Sequence, residues 1–258
     1  MSAPLAAAPR DALARVRCVL TDLDDTLTEH GAVRSATLGA IEELRAAGVP
    51  TIVVTGRPAG WCDALVRLWP ILGIVGENGA LAFWRTARGG IARRTYVEAR
   101  RLDELMACAQ AALADQPALQ LAADQPYRIG DVAVDFAEDV GPFPLATAER
   151  VRDLFRAQGF QATISSIHVN AWAGAYSKAS TALDLLSALD SPMETALYVG
   201  DSANDEPNFA TFELSVGVAN IAPFLPMMMA QPHWITKASR GAGFVELAHA
   251  LIAARAAP

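Results

Sequence analysis

Apolar and polar positions along this chain follow two different periods. Short aliphatic runs recur at Cys18-Val-Leu20, Thr51-Ile-Val-Val54, Leu72 to Val75 and Thr195-Ala-Leu-Tyr-Val199, and each empties into polar residues or glycine. Runs of this length without polar interruption read as strands buried on both faces of a parallel sheet. Between them lie stretches with helical spacing. Leu38, Ile41 and Leu44 share one side of a helix predicted over Ser35 to Ala47, with Gly48 as its stop. A second helix follows Pro58, and Gly243 to Arg255 reads as a closing amphipathic helix. Leu81 to Trp84 and Ile91 to Val97, split by Arg88-Gly-Gly90, read as a hairpin. The alternation predicts an α/β fold built on a doubly wound, Rossmann-like parallel sheet.

The pattern changes between the hairpin and Lys178. Residues 98–172 read as helix (Arg100 to Leu113), strand (Leu119 to Ala123), strand (Tyr127 to Ala137), helix (Ala146 to Ala157) and strand (Ala162 to Asn170). This is an α+β layer inserted into a core made of residues 1–97 and 173–258. On its last strand Ser166, His168 and Asn170 share one face, which therefore ends polar near Lys178. The return at Trp172-Ala-Gly-Ala-Tyr176 has the small residues a hinge uses. Arg128, Asp131 and Asp135 read as a solvated set on the surface of the insertion.

Composition narrows the class. A chain of 258 residues with 52% hydrophobic content can bury one sizeable core and a smaller second one. A net charge of −7 argues against nucleic acid and anionic membranes as partners. No apolar run reaches membrane-spanning length, and the alanine-rich stretch Met1 to Ala8 has no charged leader before it. Cys18, Cys62 and Cys108 are odd in number and lack metal-binding spacing, which suits a reducing compartment and small core positions. The expectation is a cytoplasmic protein, monomer or homodimer. Trp61, Trp69 and Trp84 are expected to be packing residues.

Chemistry concentrates where the strands end, the side on which open α/β sheets bind ligands. The first strand runs into Asp22, Asp24 and Asp25; if it persists that far, Asp22 and Asp24 share a face and Asp25 points elsewhere, as a solvated turn residue. Two carboxylates on one face share either a proton or a metal, although acidic residues after a strand also serve as turn formers and helix caps. The second strand delivers Thr55, Gly56 and Arg57: a hydroxyl, a flexible residue and a cation. Lys178 opens a helix, where the dipole disfavours a cation unless an acidic cluster or an anion faces it. A last strand ends in Gly200, Asp201, Asn204 and Asp205, of which the latter two also suit a helix cap.

Through these four clusters, in this order, the sequence resembles the haloacid-dehalogenase-like (HAD) phosphohydrolases over essentially its whole length. The position of the insertion, between the second and third clusters, resembles the Cof-like branch, which includes sugar-phosphate phosphatases and phosphomannomutases. The resemblance implies Asp22 as the nucleophile that becomes an aspartyl phosphate and Asp24 as the general acid and base. It implies Thr55 and Lys178 as ligands of the phosphoryl oxygens, with Mg²⁺ held by Asp22, the backbone carbonyl of Asp24 and Asp201, and Asp205 acting through water. Substrate contacts are expected from Arg57, Asn78 and Asn204 in the core and from His168 and Asn170 in the insertion, which would act as a closing cap. His168 and Asn170 equally read as groups that satisfy the backbone where the strand leaves the cap. Asn220 is expected to reach toward the phosphate pocket.

The implied function is Mg²⁺-dependent hydrolysis of a small phosphorylated metabolite, a sugar phosphate. A phosphomutase would use the same intermediate. A receiver-type phosphoacceptor module combines similar residues but lacks both the insertion and a partner like Asp24. A pseudo-enzyme that binds phosphometabolites without turnover is the remaining alternative.

Overall fold

The computed structural model describes residues 2–255. Nine strands form the main sheet, in the order Ala3–Pro4, Trp234–Ile235, Leu214–Gly217, Ala196–Gly200, Cys18–Thr21, Thr51–Val54, Gly73–Gly76, Leu81–Arg85, Ile91–Thr95. Neighbours are parallel as far as Gly73–Gly76; the predicted hairpin then adds two antiparallel strands. Cys18–Thr21 and Ala196–Gly200 lie side by side at the centre, with Thr21 opposite Val199. Their carboxyl ends, which carry Asp22 and Asp201, are therefore neighbours.

Side chains alternate between the two faces of this sheet. Val19, Val53 and Leu197 pack toward Ile41, Leu44, Phe244 and Leu247, on the helices Ser35–Ala46 and Arg240–Arg255. Leu20, Ile52 and Tyr198 pack toward Leu185, Leu186 and Phe209, on Lys178–Ala188 and Glu206–Thr211. Each fully buried aliphatic side chain contributes about 1.5–3 kcal/mol, so both layers hold the strand ends rigidly. Among the described residues no helix is long and apolar enough to cross a membrane.

The insertion forms a four-stranded antiparallel sheet in the order Gln161–Ile164, His168–Trp172, Asp131–Asp135, Gln120–Leu121. Val132, Val134, Val169 and Ala171 face a separate hydrophobic cluster with Leu105 and Phe155, on the helices Leu102–Asp115 and Leu145–Ala157. Alternation puts Asp131, Asp135, His168 and Asn170 on the opposite face.

Some predicted elements differ; the strand expected over Leu119 to Ala123, for one, shortens to Gln120–Leu121. The strand expected over Ala162 to Asn170 is two strands separated by a turn, because the Ser165 hydroxyl accepts the N–H groups of Ile167 and His168 at 3.3 and 3.0 Å and folds the chain back. Ser166 thus belongs to the turn, while His168 and Asn170 keep their common face. The strand expected over Tyr127 to Ala137 shortens to Asp131–Asp135, after a single 3₁₀ turn at Gln125–Tyr127.

Candidate active site

Asp22 leaves the central strand with its N–H bonded to the Val199 carbonyl at 2.9 Å. Lys178, the first residue of its helix, donates to Asp22 Oδ1 at 2.7 Å and lies 3.6 Å from Asp205 Oδ1. Ser177 caps that helix, accepting the Ser180 N–H at 3.1 Å. Gly79 presses against the same turn: its φ is +111°, and a Cβ there would strike the Ser177 carbonyl. Burial pushes the Asp22 carboxyl up to about 7; Lys178 opposes this, while Asp205 and Asp24 add to it. Burial also works against the Lys178 ammonium, yet Asp22 and Asp205 outweigh it and raise its pKa. The acidic cluster that a cation at a helix start calls for is thus in place.

One oxygen from each of Asp22, Asp201 and Asp205 lies within 4.8 Å of the others, all three residues being buried. Thr26 and Asn220 orient Asp201, donating to its two oxygens at 3.3 and 3.0 Å; Asn220 therefore serves this carboxylate. Burial, then Asp205 and Asp22, raises the Asp201 pKa well above the ordinary value. Asp205 is engaged by Tyr198 O–H at 2.6 Å and by the N–H groups of Asp201 and Ser202 at 3.0 and 3.2 Å. Gly200 permits this, since a Cβ there would strike the Asp205 carboxylate. Three mutually repelling carboxylates with oxygen-only donors fit a hard divalent cation. Asp22 and Asp201 are its direct candidates, with Asp205 orienting the loop and the Asp24 carbonyl as the backbone candidate. Asp25 is not a solvated turn residue: it accepts from Arg240 Nε at 2.8 Å, with φ of 57°.

Arg57 organises the other side. Its Nε and Nη2 grip the Asp24 carboxylate at 3.0 and 2.9 Å, and Nη2 also donates to Glu138 at 2.8 Å. Asp124 lies 3.6 Å from Nη1, and the guanidinium stands 4.6 Å over the Trp61 ring. Trp61, expected as a packing residue, is 41% exposed and packs as a platform under Arg57. Thr55 is fully buried, and its hydroxyl accepts the Arg57 N–H at 3.0 Å. The far oxygen of Glu138 lies 2.9 Å from His168 Nε2, off the hydrogen-bond direction. His168 and then Arg57 hold the Glu138 carboxyl down at about 2, against partial burial.

Arg128, Asp131 and Asp135 are buried between the layers, contrary to the solvated set expected, because each finds its full complement of partners there. Arg128 donates to Asp124 at 2.9 Å, to Asp131 Oδ1 at 2.9 Å and to the Gly56 carbonyl at 2.9 Å. Asp131 Oδ2 accepts from both Asn78 Nδ2 and Asn170 Nδ2, at 3.3 and 3.1 Å. Asp135 accepts the N–H groups of Ala137, Glu138 and Asp139, shaping the turn that presents Glu138. Glu77 accepts N–H groups from Ala59, Ile129, Gly130 and Asp131, tying core to insertion. Burial and Asp131 push its carboxyl up to about 7 against the N–H groups of Ala59, Ile129 and Gly130.

Asp22, Asp24, Arg57, Asn78, His168, Asn170, Lys178, Asp201 and Asn204 line one cavity of about 30 Å³; Thr55 lies behind it. Residues 19–129 match the family of haloacid dehalogenase-like hydrolases. The chain is thus similar to haloacid dehalogenase-like hydrolases. It is 27% identical, over 81% of its own length and 88% of the relative's, to a phosphoglycolate phosphatase of Methanobrevibacter smithii. A Thermoplasma acidophilum structure superposes with a TM-score of 0.71 at 17% identity, covering 92% of this chain and 99% of that one. A HAD/COF-like hydrolase from Plasmodium vivax superposes with a TM-score of 0.70 at 17% identity, covering 95% and 99%.

In this chain, Glu138 and Asp124 are site residues that sequence reasoning missed. Both lie in irregular segments of the insertion, where no periodicity points a side chain. The one available signal was Asp135 followed by three residues whose N–H groups it could collect.

Proposed function

We propose that this phosphatase hydrolyses small phosphate monoesters, sugar phosphates among them, by passing the phosphoryl group through Asp22. The observation that carries this reading is Asp22 itself: Oδ1 is held by Lys178 at 2.7 Å, while Oδ2 has no hydrogen-bond donor among the described residues, in a cavity shared with Asp24 and Asp201. An oxygen of Asp22 would attack phosphorus, the bond from phosphorus to the leaving oxygen would break, and Asp24 would give that oxygen its proton. Water would then cleave the aspartyl phosphate, passing a proton to Asp24 and restoring the Asp22 carboxylate. Arg57 aims Asp24, and Lys178 neutralises the oxygens in flight. Mg²⁺, held by Asp22, Asp201 and the Asp24 carbonyl, would supply charge neutralisation on the phosphoryl oxygens.

Residues 98–172 act in this reading as a cap that must open to admit substrate, since the closed cavity has room for about one water. We place the enzyme in the cytoplasm, where three buried free thiols are at home. Its partner is a small phosphorylated metabolite, and it works as a monomer or homodimer without nucleic acid or membrane. Purified protein with Mg²⁺ and a panel of phosphate esters tests the reading: inorganic phosphate should appear, and no isomer of a hexose phosphate. Isomer formation without phosphate release would make it a mutase; no reaction with any ester would contradict both.

A further inference from the structure

We infer that Asp131 is a specificity-determining residue: by orienting Asn78 and Asn170 it gives the leaving-group side of the cavity acceptor atoms, so that neutral, hydroxyl-bearing leaving groups are taken and carboxylated ones rejected. The inference rests on the phosphatase reading above and goes beyond it in naming the class of leaving group and the residue that selects it.

Asp131 is pinned in one orientation. Arg128 holds Oδ1 at 2.9 Å, so Oδ2 is the oxygen presented to both asparagines. Oδ2 can only accept, and both amides turn their NH₂ groups to it, at 3.3 and 3.1 Å. Their Oδ1 atoms have no donor among the described residues, on two side chains that line the cavity. A substrate hydroxyl can donate to such oxygens. A substrate carboxylate meets lone pairs and loses its water without replacement.

The cations of this wall offer no relief. Arg57 is shared among Asp24, Asp124 and Glu138, Arg128 between Asp124 and Asp131, and His168 Nε2 stands 2.9 Å from the Glu138 carboxylate. Two guanidiniums thus face four carboxylates. Lys178 is committed to Asp22 on the phosphoryl side. Ser165, Ser166, Ser202 and Asn204 line the cavity too and also border the neighbouring cleft, with the Ser165 and Ser202 hydroxyls already donating to the His168 carbonyl and to Asn204 Oδ1. Discrimination built on an excluded charge needs no new attractive contact. The Methanobrevibacter relative is a phosphoglycolate phosphatase, so this chain should differ from it in preference.

The test compares kcat/KM for matched esters, 2-hydroxyethyl phosphate against 2-phosphoglycolate and glycerol 3-phosphate against 3-phosphoglycerate. The neutral member of each pair should win by at least about tenfold, because a polar site built for hydroxyls penalises a mismatched group strongly. Asp131→Asn places an NH₂ group where Oδ2 was; both amides should turn over, present donors to the cavity, and lower that ratio at least about tenfold. A merely structural role would depress all four esters alike. If Asp131→Asn does not fold, Asn170→Leu, which leaves the Arg128 pair intact, should lower the same ratio by removing one acceptor. Equal or reversed preference in the natural enzyme, or an unchanged ratio in the folded variants, overturns the inference while leaving the phosphatase reading intact. Failure to release phosphate from any ester, p-nitrophenyl phosphate included, strikes the phosphatase reading instead.

Discussion

Arg57 of the core donates one nitrogen, Nη2, to both Asp24 at 2.9 Å and Glu138 of the insertion at 2.8 Å. The guanidinium that aims Asp24 is therefore the one the insertion holds when it is seated. In the proposed reading, seating the insertion and orienting Asp24 are one event, with His168 behind Glu138 extending the contact into the cavity wall.

This contact should be visible in stability against pH. His168 and Arg57 depress the Glu138 carboxyl from 4.5 to about 2. A depressed carboxyl stabilises the fold above its unfolded value, and that contribution fades as pH falls through the folded one. The natural protein should thus exceed Glu138→Gln in urea midpoint at pH 6, with the gap closing between about 4.5 and about 2. A gap that is absent at pH 6, or that does not narrow with acid, would contradict the pairing.

Lys178→Met should cost both activity and stability. Losing a preorganised cation at a transferring phosphoryl group costs about 10²–10³ in kcat. Breaking a buried pair costs about 3–5 kcal/mol, and the low end is expected here because Asp22, already raised to about 7, can take up a proton. Urea unfolding of the chelated protein together with steady-state turnover would show both losses. Preserved turnover would remove Lys178 from the site.

The central motifs were legible because buried parallel strands are unmistakably apolar, so the carboxylates that end them stand out. Asp22, Asp24, Asp201 and Lys178 were placed by that contrast and by resemblance, and they converge in one cavity. Asp131 and Arg128 were misread as solvated because a sequence shows charge without its partner. Their neutralisation depends on Asp124, Asn78 and Asn170, which only the packing of insertion on core brings together. His168 kept its predicted face despite the unforeseen turn at Ser165, since Asn170 and His168 stay two apart on one strand.

Glu77→Gln should loosen the seam between core and insertion. Four N–H groups converge on the two Glu77 oxygens, and an amide nitrogen cannot accept the ones it meets. A loss of about 1–3 kcal/mol is expected, with faster hydrogen exchange at Ile129, Gly130 and Asp131. Unchanged exchange at those amides would show that Glu77 does not hold the insertion.

Metal removal tests the acidic cluster. Chelator should abolish phosphate release and Mg²⁺ restore it, while Ca²⁺, with looser coordination, should bind and support little turnover. Mg²⁺ should also raise Tm by relieving repulsion among Asp22, Asp201 and Asp205. Asp201→Asn should weaken that rise. Full activity after exhaustive chelation is incompatible with this arrangement.

The phosphoryl group on Asp22 is the step on which everything else depends, and it can be caught directly. Asp24→Asn keeps the nucleophile but lacks the base that activates water, and p-nitrophenolate leaves without needing a proton. Mixed with p-nitrophenyl phosphate and Mg²⁺, then quenched in acid, this variant should show a burst of p-nitrophenol. Peptide mass spectrometry should place one phosphoryl group on Asp22. A burst with no phosphoryl group on the Asp22 peptide, or with the group on another residue, would contradict the account.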